Sequence, residues 1–158
     1  MTVAIRKAEP RDLPVLGRLG AMLVRTHYEF DQQRFLAPVD GIENGYAAFL
    51  GRALQSPEDC VFVADDDGEI VGYTYAALEP LSWKDLRGPA GFVHDVAVAE
   101  NSRRKGVGTL LMKAAMDWLR EHGAPRVILG TAALNQAAHA LFHRLGFRDT
   151  MIEMTKEL

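Results

Sequence analysis

The segment Phe92–Leu111, FVHDVAVAENSRRKGVGTLL, sets the reading of the whole chain. Phe92 to Val98 is an apolar strand, a short polar turn follows, and Arg103-Arg104-Lys105-Gly106-Val107-Gly108 opens an amphipathic helix. The helix is read from spacing: Leu110, Leu111, Ala114, Ala115, Trp118 and Leu119 recur one turn apart, with Lys113, Asp117, Arg120 and Glu121 between them. A strand feeding two glycines and a helix start suits an anionic phosphate. First-turn N–H groups lack partners, the helix dipole is positive there, glycine admits close approach, and three cations add attraction. The competing reading is a plain strand–turn–helix junction whose glycines only ease packing. A dinucleotide fingerprint would need a third glycine where Leu111 stands, and a P-loop would need Gly-Lys-Ser/Thr, which does not occur.

Upstream, Val3–Arg6 reads as a short strand, and Asp12 as the N-cap of a helix with Pro14 in its first turn. Leu13, Leu16, Leu19, Leu23 and Val24 give that helix its apolar stripe. A second helix runs from Glu43 to Gln55 with Tyr46, Phe49, Leu50 and Leu54 inward. Cys60–Ala64 and Glu69–Leu78 are strands joined by the hairpin turn Asp65-Asp66-Asp67-Gly68, and Glu79–Gly91 is a loop bearing Trp83. Downstream, the central helix ends near Gly123 and Arg126–Thr131 is a strand. Asn135 opens a last helix that Gly146 stops, and Thr150–Lys156 is a final strand. The order βααβββαβαβ predicts an α/β chain: a mixed sheet with helices on its faces, in one domain over residues 1–158.

Three separated stretches carry a family resemblance. Arg103-x-x-Gly106-x-Gly108 after Val96-x-Val98 resembles the acetyl-CoA motif of the GNAT superfamily of N-acetyltransferases. Asn135-x-x-Ala138-x-x-Leu141-Phe142-x-x-Leu145-Gly146-Phe147 resembles its second motif, and Ile5-Arg6-x-Ala8-x-x-x-Asp12-x-x-x-Leu16 its opening strand and helix. The resemblance implies acetyl transfer to an amine by direct attack in a ternary complex. It also implies two central strands that splay to admit acetyl-CoA. The pantetheine arm would then bond to the main chain of Val96, Ala97 and Val98, with a backbone N–H near Val96 polarising the carbonyl. The pyrophosphate would sit on Arg103, Arg104, Lys105, Gly106, Val107, Gly108 and Thr109, and Asn135 would face the pantetheine from the far side. Phe142 stands where many members carry a tyrosine that protonates the departing sulfur. That substitution keeps open a second reading, a non-catalytic acyl-CoA-binding module.

Freeing a lysine-like amine at pH 7 costs about 4–5 kcal/mol, so a base matters. The resemblance implies a base near His94, where some relatives carry a glutamate, and Asp95 is a further candidate, each with a structural reading beside it: a packed polar residue, or a hydrogen-bonding one. Strand alternation puts Phe92, His94, Val96 and Val98 on one face and Val93, Asp95 and Ala97 on the other, so His94 and Asp95 should diverge. His27, Tyr28 and Glu29, after the first helix, are candidates for acceptor contacts, with Trp83 as a further pocket wall; the alternative is a solvated loop. The acidic and aromatic cluster favours a cationic acceptor, either a small molecule or a protein amine.

Other features carry less. His139 and His143 have zinc-ligand spacing but no third ligand, Asp65–Asp67 is too short for a calcium loop, and no metal site is expected. A net charge of −3 gives no general reason to bind nucleic acid, and no apolar run is long enough to span a membrane. The single cysteine, Cys60, sits in an apolar run and suits a buried position in a reducing cytoplasm. The terminal strand is a candidate surface for pairing two chains.

Overall fold

The structure is a computed structural model that describes residues 2–158. Strands β1 (Val3–Lys7), β2 (Asp59–Asp66), β3 (Glu69–Glu79), β4 (Ala90–Val98) and β5 (Val127–Leu129) form one sheet in the order β1-β2-β3-β4-β5. The first four are antiparallel neighbours and β5 lies parallel to β4. Helices α1 (Leu13–Phe30) and α2 (Ile42–Leu54) cover one face, and α3 (Val107–Glu121) covers the other. Helix α4 (Gln136–Arg144) follows β5 and adds Leu141 and Phe142 to the α3 side.

The two faces are divided by strand alternation. Val61, Val63, Tyr73 and Ala97 pack on Leu16, Leu19, Leu50 and Ala53 of α1 and α2. Cys60, Ala76 and Val93 pack on Met112, Ala115, Trp118 and Leu119 of α3. Cys60 is a free, buried thiol whose burial pushes its pKa up to about 12, so it serves as a small apolar side chain. Helices α1 and α2 approach closely because Gly17 and Gly20 carry no Cβ. One at Gly20 would fall 2.1 Å from the Tyr46 ring.

Besides His27, Tyr28 and Glu29, which lie in the last turns of α1 rather than after it, the structure departs from the sequence reading in four places. Asp12 precedes α1 but does not cap it: its carboxylate accepts from Nη1 and Nη2 of Arg6 at 2.9 and 3.0 Å and from the Glu9 N–H at 2.8 Å. A buried carboxylate gains more from a bidentate guanidinium than from one helix amide. Strand β5 is shorter than Arg126–Thr131, because only three of its residues meet β4. Thr150–Lys156 forms no strand, and the segment lies exposed. The fourth departure is a bulge in β4, which reorganises the site.

Candidate functional site

Strands β4 and β5 pair only at Gly91–Val127, Phe92–Ile128 and Val93–Leu129. β4 continues to Val98, held by β3 on its other edge, so its β5-facing edge runs free from His94 onward. Divergence of the two strands opens a cleft of about 270 Å³. Its walls are Val93–Val96 on one side and Leu129–Thr131 with Asn135, Ala138 and Phe142 on the other; Leu23, Val24, His27, Phe35, Leu36 and Tyr46 close the end beneath α1 and α2.

The other end is the start of α3. Arg104 (φ 63°) and Gly106 (φ 81°) adopt left-handed backbone, which turns the chain sharply into the helix. The first bond of α3 runs from the Leu110 N–H to the Gly106 carbonyl, and no side chain caps the helix. The amides of Val107, Gly108 and Thr109 therefore have no partner within α3. Arg104 and Lys105 are exposed and make no ion pair among the described residues. Arg103 behaves differently: its Nε donates to the Val98 carbonyl at 3.1 Å, so the guanidinium ties the turn to the end of β4. A Cβ on Gly108 would lie 3.2 Å from Cδ2 of Leu141, so this glycine also sets the approach of α4. Unpartnered amides, a positive dipole and two free cations make an anion cradle that fits a pyrophosphate.

At the middle of β4, the pairing with β3 slips: Tyr75 opposes Asp95, but Ala76 opposes Val93, leaving His94 as the extra residue. A bulge turns two successive side chains to one face. Val93, Val96 and Val98 pack toward α3, while Ala97 packs toward α1 and α2. His94 and Asp95 both face α1 and α2, contrary to the divergence that regular alternation predicts. A pair of adjacent polar residues in an apolar strand is the one sequence sign of this irregularity.

Asp95 Oδ2 accepts from the Tyr46 hydroxyl at 2.5 Å and the Tyr73 hydroxyl at 2.8 Å. No hydrogen bond engages Oδ1, which is open to the cleft that Asp95 lines. Burial and the nearby Asp95 carboxylate raise both phenol pKa values well above the ordinary, so Tyr46 and Tyr73 stay protonated donors. The His94 ring stacks on Phe92 at 4.8 Å, lies 5.1 Å from Tyr75, and brings Nε2 to 3.0 Å from Glu79 Oε1. With Nε2–H assigned to Glu79, Nδ1 is the ring's acceptor. Tyr75, raised to about 12 mainly by burial, is as poor an acid as its neighbours.

Of the other predicted contacts, His27 lines the cleft, with its Nδ1 donating to the Leu23 carbonyl at 2.7 Å. Tyr28 and Glu29 do not line it. Trp83 is 85% exposed on the β3–β4 excursion, away from the cleft. Asn135 caps α4 by accepting from the Ala138 N–H at 3.1 Å, which leaves its amide nitrogen for the cleft. His139 and His143 are engaged by the Ala132 carbonyl and by Asp149. Sequence reading took Tyr73 as a possible pocket wall but did not join it, Tyr46 or Glu79 to Asp95 and His94. A tyrosine on the inward face of α2, opposite the glycines of α1, was a usable sign for Tyr46.

Comparison with known proteins agrees with this geometry. Residues 23–147 match the model of the acetyltransferase (GNAT) family. The chain belongs to that family. This GNAT protein is thus an acetyl-transferring enzyme whose donor is acetyl-CoA. It is 29% identical over 147 residues to the uncharacterized N-acetyltransferase YhfO of Bacillus subtilis, covering 92% of this chain and 89% of that one. It is 34% identical over 116 residues to an N-alpha-acetyltransferase of Sulfurisphaera tokodaii, covering 70% and 69%. The structure of AAC(6')-Iy in complex with the bisubstrate analog CoA-S-monomethyl-acetylneamine superposes with a TM-score of 0.79 at 20% identity, covering 100% of this chain and 99% of that one. No helix among the described residues of the GNAT protein is long and apolar enough to cross a membrane.

Proposed function

We propose that this single domain acetylates a cationic primary amine that is held by Asp95 at the α1–α2 end of the cleft. The observation that carries the reading is the asymmetric carboxylate: one oxygen saturated by two tyrosine hydroxyls, the other open beside the free edge of β4. A carboxylate fixed in this way holds an ammonium without having to reorganise. Nδ1 of His94, on the same face, takes the proton as the amine becomes nucleophilic, and Glu79 holds the ring in the tautomer that leaves Nδ1 free.

Acetyl-CoA supplies the acetyl group as a thioester. On this reading the amides of Val107, Gly108 and Thr109, with Arg104 and Lys105, bind its pyrophosphate. The free edge from Val96 to Val98 and the Asn135 amide line the pantetheine. Arg103 acts as a brace for the turn. Phe142 packs beside the thioester and donates no proton, so the thiolate leaves without an acid, at a cost of about 2 kcal/mol at pH 7 for a thiol of ordinary pKa. An aminoglycoside or peptide acceptor is suggested by the relatives' substrates. The test is a thiol-release assay with acetyl-CoA against polyamines, aminoglycosides and N-terminal peptides. Turnover confined to neutral or anionic amines would overturn the assignment.

A further inference from the structure

We propose that the aromatic face of the sheet beside the cleft is a second subsite, which takes a remote ammonium of the acceptor and so favours long diamines over monoamines. The inference rests on the reading of Asp95 given above and names the acceptor class that this site prefers. Helices α1 and α2 pack on Val61, Val63, Tyr73 and Ala97 of the sheet. Strands β2, β3 and β4 run further, and alternation sends Asp59, Tyr75, Glu79 and Phe92 to the same face. A row of rings lies there: Tyr46, Phe49, Tyr75, His94 and Phe92 follow one another with centroids 5.6, 5.7, 5.1 and 4.8 Å apart. The row starts at the phenol that holds Asp95 and leads away from the cleft, whose walls do not include Phe49, Tyr75 or Phe92. Phe49 is 42% exposed and His94 is also open to solvent.

The electrostatics of this face select a cation. Burial, then the charges of Asp59 on β2, Glu79 on β3 and Asp95 on β4, push the Tyr75 phenol up to about 12, so three carboxylates stand around one ring. Asp59 forms no ion pair with any described residue, and Glu79 is engaged by His94 through one oxygen. Ring faces add the negative end of their quadrupoles. The chain's own Arg87 shows the fit. Its guanidinium lies 5.8 Å from the Phe92 centroid, held there by the Pro80 and Gly88 carbonyls at 3.0 and 3.2 Å.

Sheet register sets the distance between the two cation positions. Val61 opposes Tyr75 and Tyr75 opposes Asp95, so Asp59 stands two strands across from Asp95 and two residues along. Strand spacing and rise put these two backbone positions roughly 12 Å apart, close to the span of an extended eight-carbon diamine. With one ammonium on the open oxygen of Asp95, the other reaches the rings between Phe49 and Tyr75 under the charge of Asp59. A monoamine of the same length brings only methyl to that place, and a short diamine does not reach it.

The test compares kcat/KM of the full chain for three acceptors: an eight-carbon α,ω-diamine, the eight-carbon monoamine and a four-carbon diamine. The wild type should favour the long diamine over the other two by about tenfold. Asp59→Asn removes the charge and keeps the shape. It should bring the long diamine to within about twofold of the monoamine, the statistical gain of having two reactive ends, and leave the monoamine unchanged. A wild-type preference no larger than that gain overturns the subsite and leaves the reading of Asp95 standing. So does an Asp59→Asn enzyme that keeps the full preference. Turnover of none of the three overturns the reading of Asp95 itself, and the subsite with it.

Discussion

The two ends of the cleft are built in different ways. The cradle at the start of α3 is made of backbone: three amides, two left-handed residues and a helix dipole, all from one contiguous stretch. The acceptor end is made of side chains drawn from α1, α2, β3 and β4, with Tyr46 reaching across 49 positions to Asp95. Backbone chemistry depends on local conformation, which glycine and helix spacing spell out residue by residue. A side-chain constellation depends on which elements meet. On the proposed reading the cradle is generic to anionic ligands, and the side-chain end sets the selectivity for the acceptor.

The largest expected effect belongs to the acceptor end. Asp95→Asn should lower kcat/KM by about 10²–10³, because it removes a charge partner from the amine, while the Kd for acetyl-CoA changes by less than about threefold. A parallel loss of acetyl-CoA affinity in calorimetry would mean that the two ends are not separable. The next effect concerns the helix on which the acceptor wall is built. Arg6 holds the Asp12 carboxyl below its usual pKa, so this pair stabilises the fold above pH about 4 and the contribution is lost as pH falls through the lowered folded value. Asp12→Asn should cost about 2 kcal/mol at pH 7 and flatten the acid limb of a stability–pH curve from thermal melts, sparing the cradle.

The cradle has its own probe. Gly106→Val forces a branched side chain into left-handed backbone, at a cost of about 1–2 kcal/mol, so acetyl-CoA should bind roughly tenfold more weakly with little change in acceptor KM. Gly108 is the poorer choice, since its substitution also disturbs Leu141 of α4. The smallest effect sharpens the picture of Asp95. Tyr46→Phe removes one of two donors to Oδ2 and should reduce kcat/KM about fivefold at unchanged acetyl-CoA affinity. A wild-type value would show that Tyr73 alone fixes the carboxylate.

The sequence by itself determined the order of elements as far as α4, the two faces of the sheet and the glycine-bearing turn into α3. Each rests on a short-range rule: helical spacing, strand alternation, or glycine before a helix. Tertiary structure alone decided the rest. The slip between β3 and β4 puts His94 and Asp95 on one face, a matter of pairing register that no single strand encodes. The ion pair with Arg6 took Asp12 from its cap, and a hydrogen bond from Nε of Arg103 to the Val98 carbonyl ties the turn before α3 to the end of β4, because a guanidinium finds a buried carboxylate or a free carbonyl wherever the fold provides one. The strand character of Thr150–Lys156 was legible, but a strand needs a partner edge, and the fold of one chain leaves that segment without one.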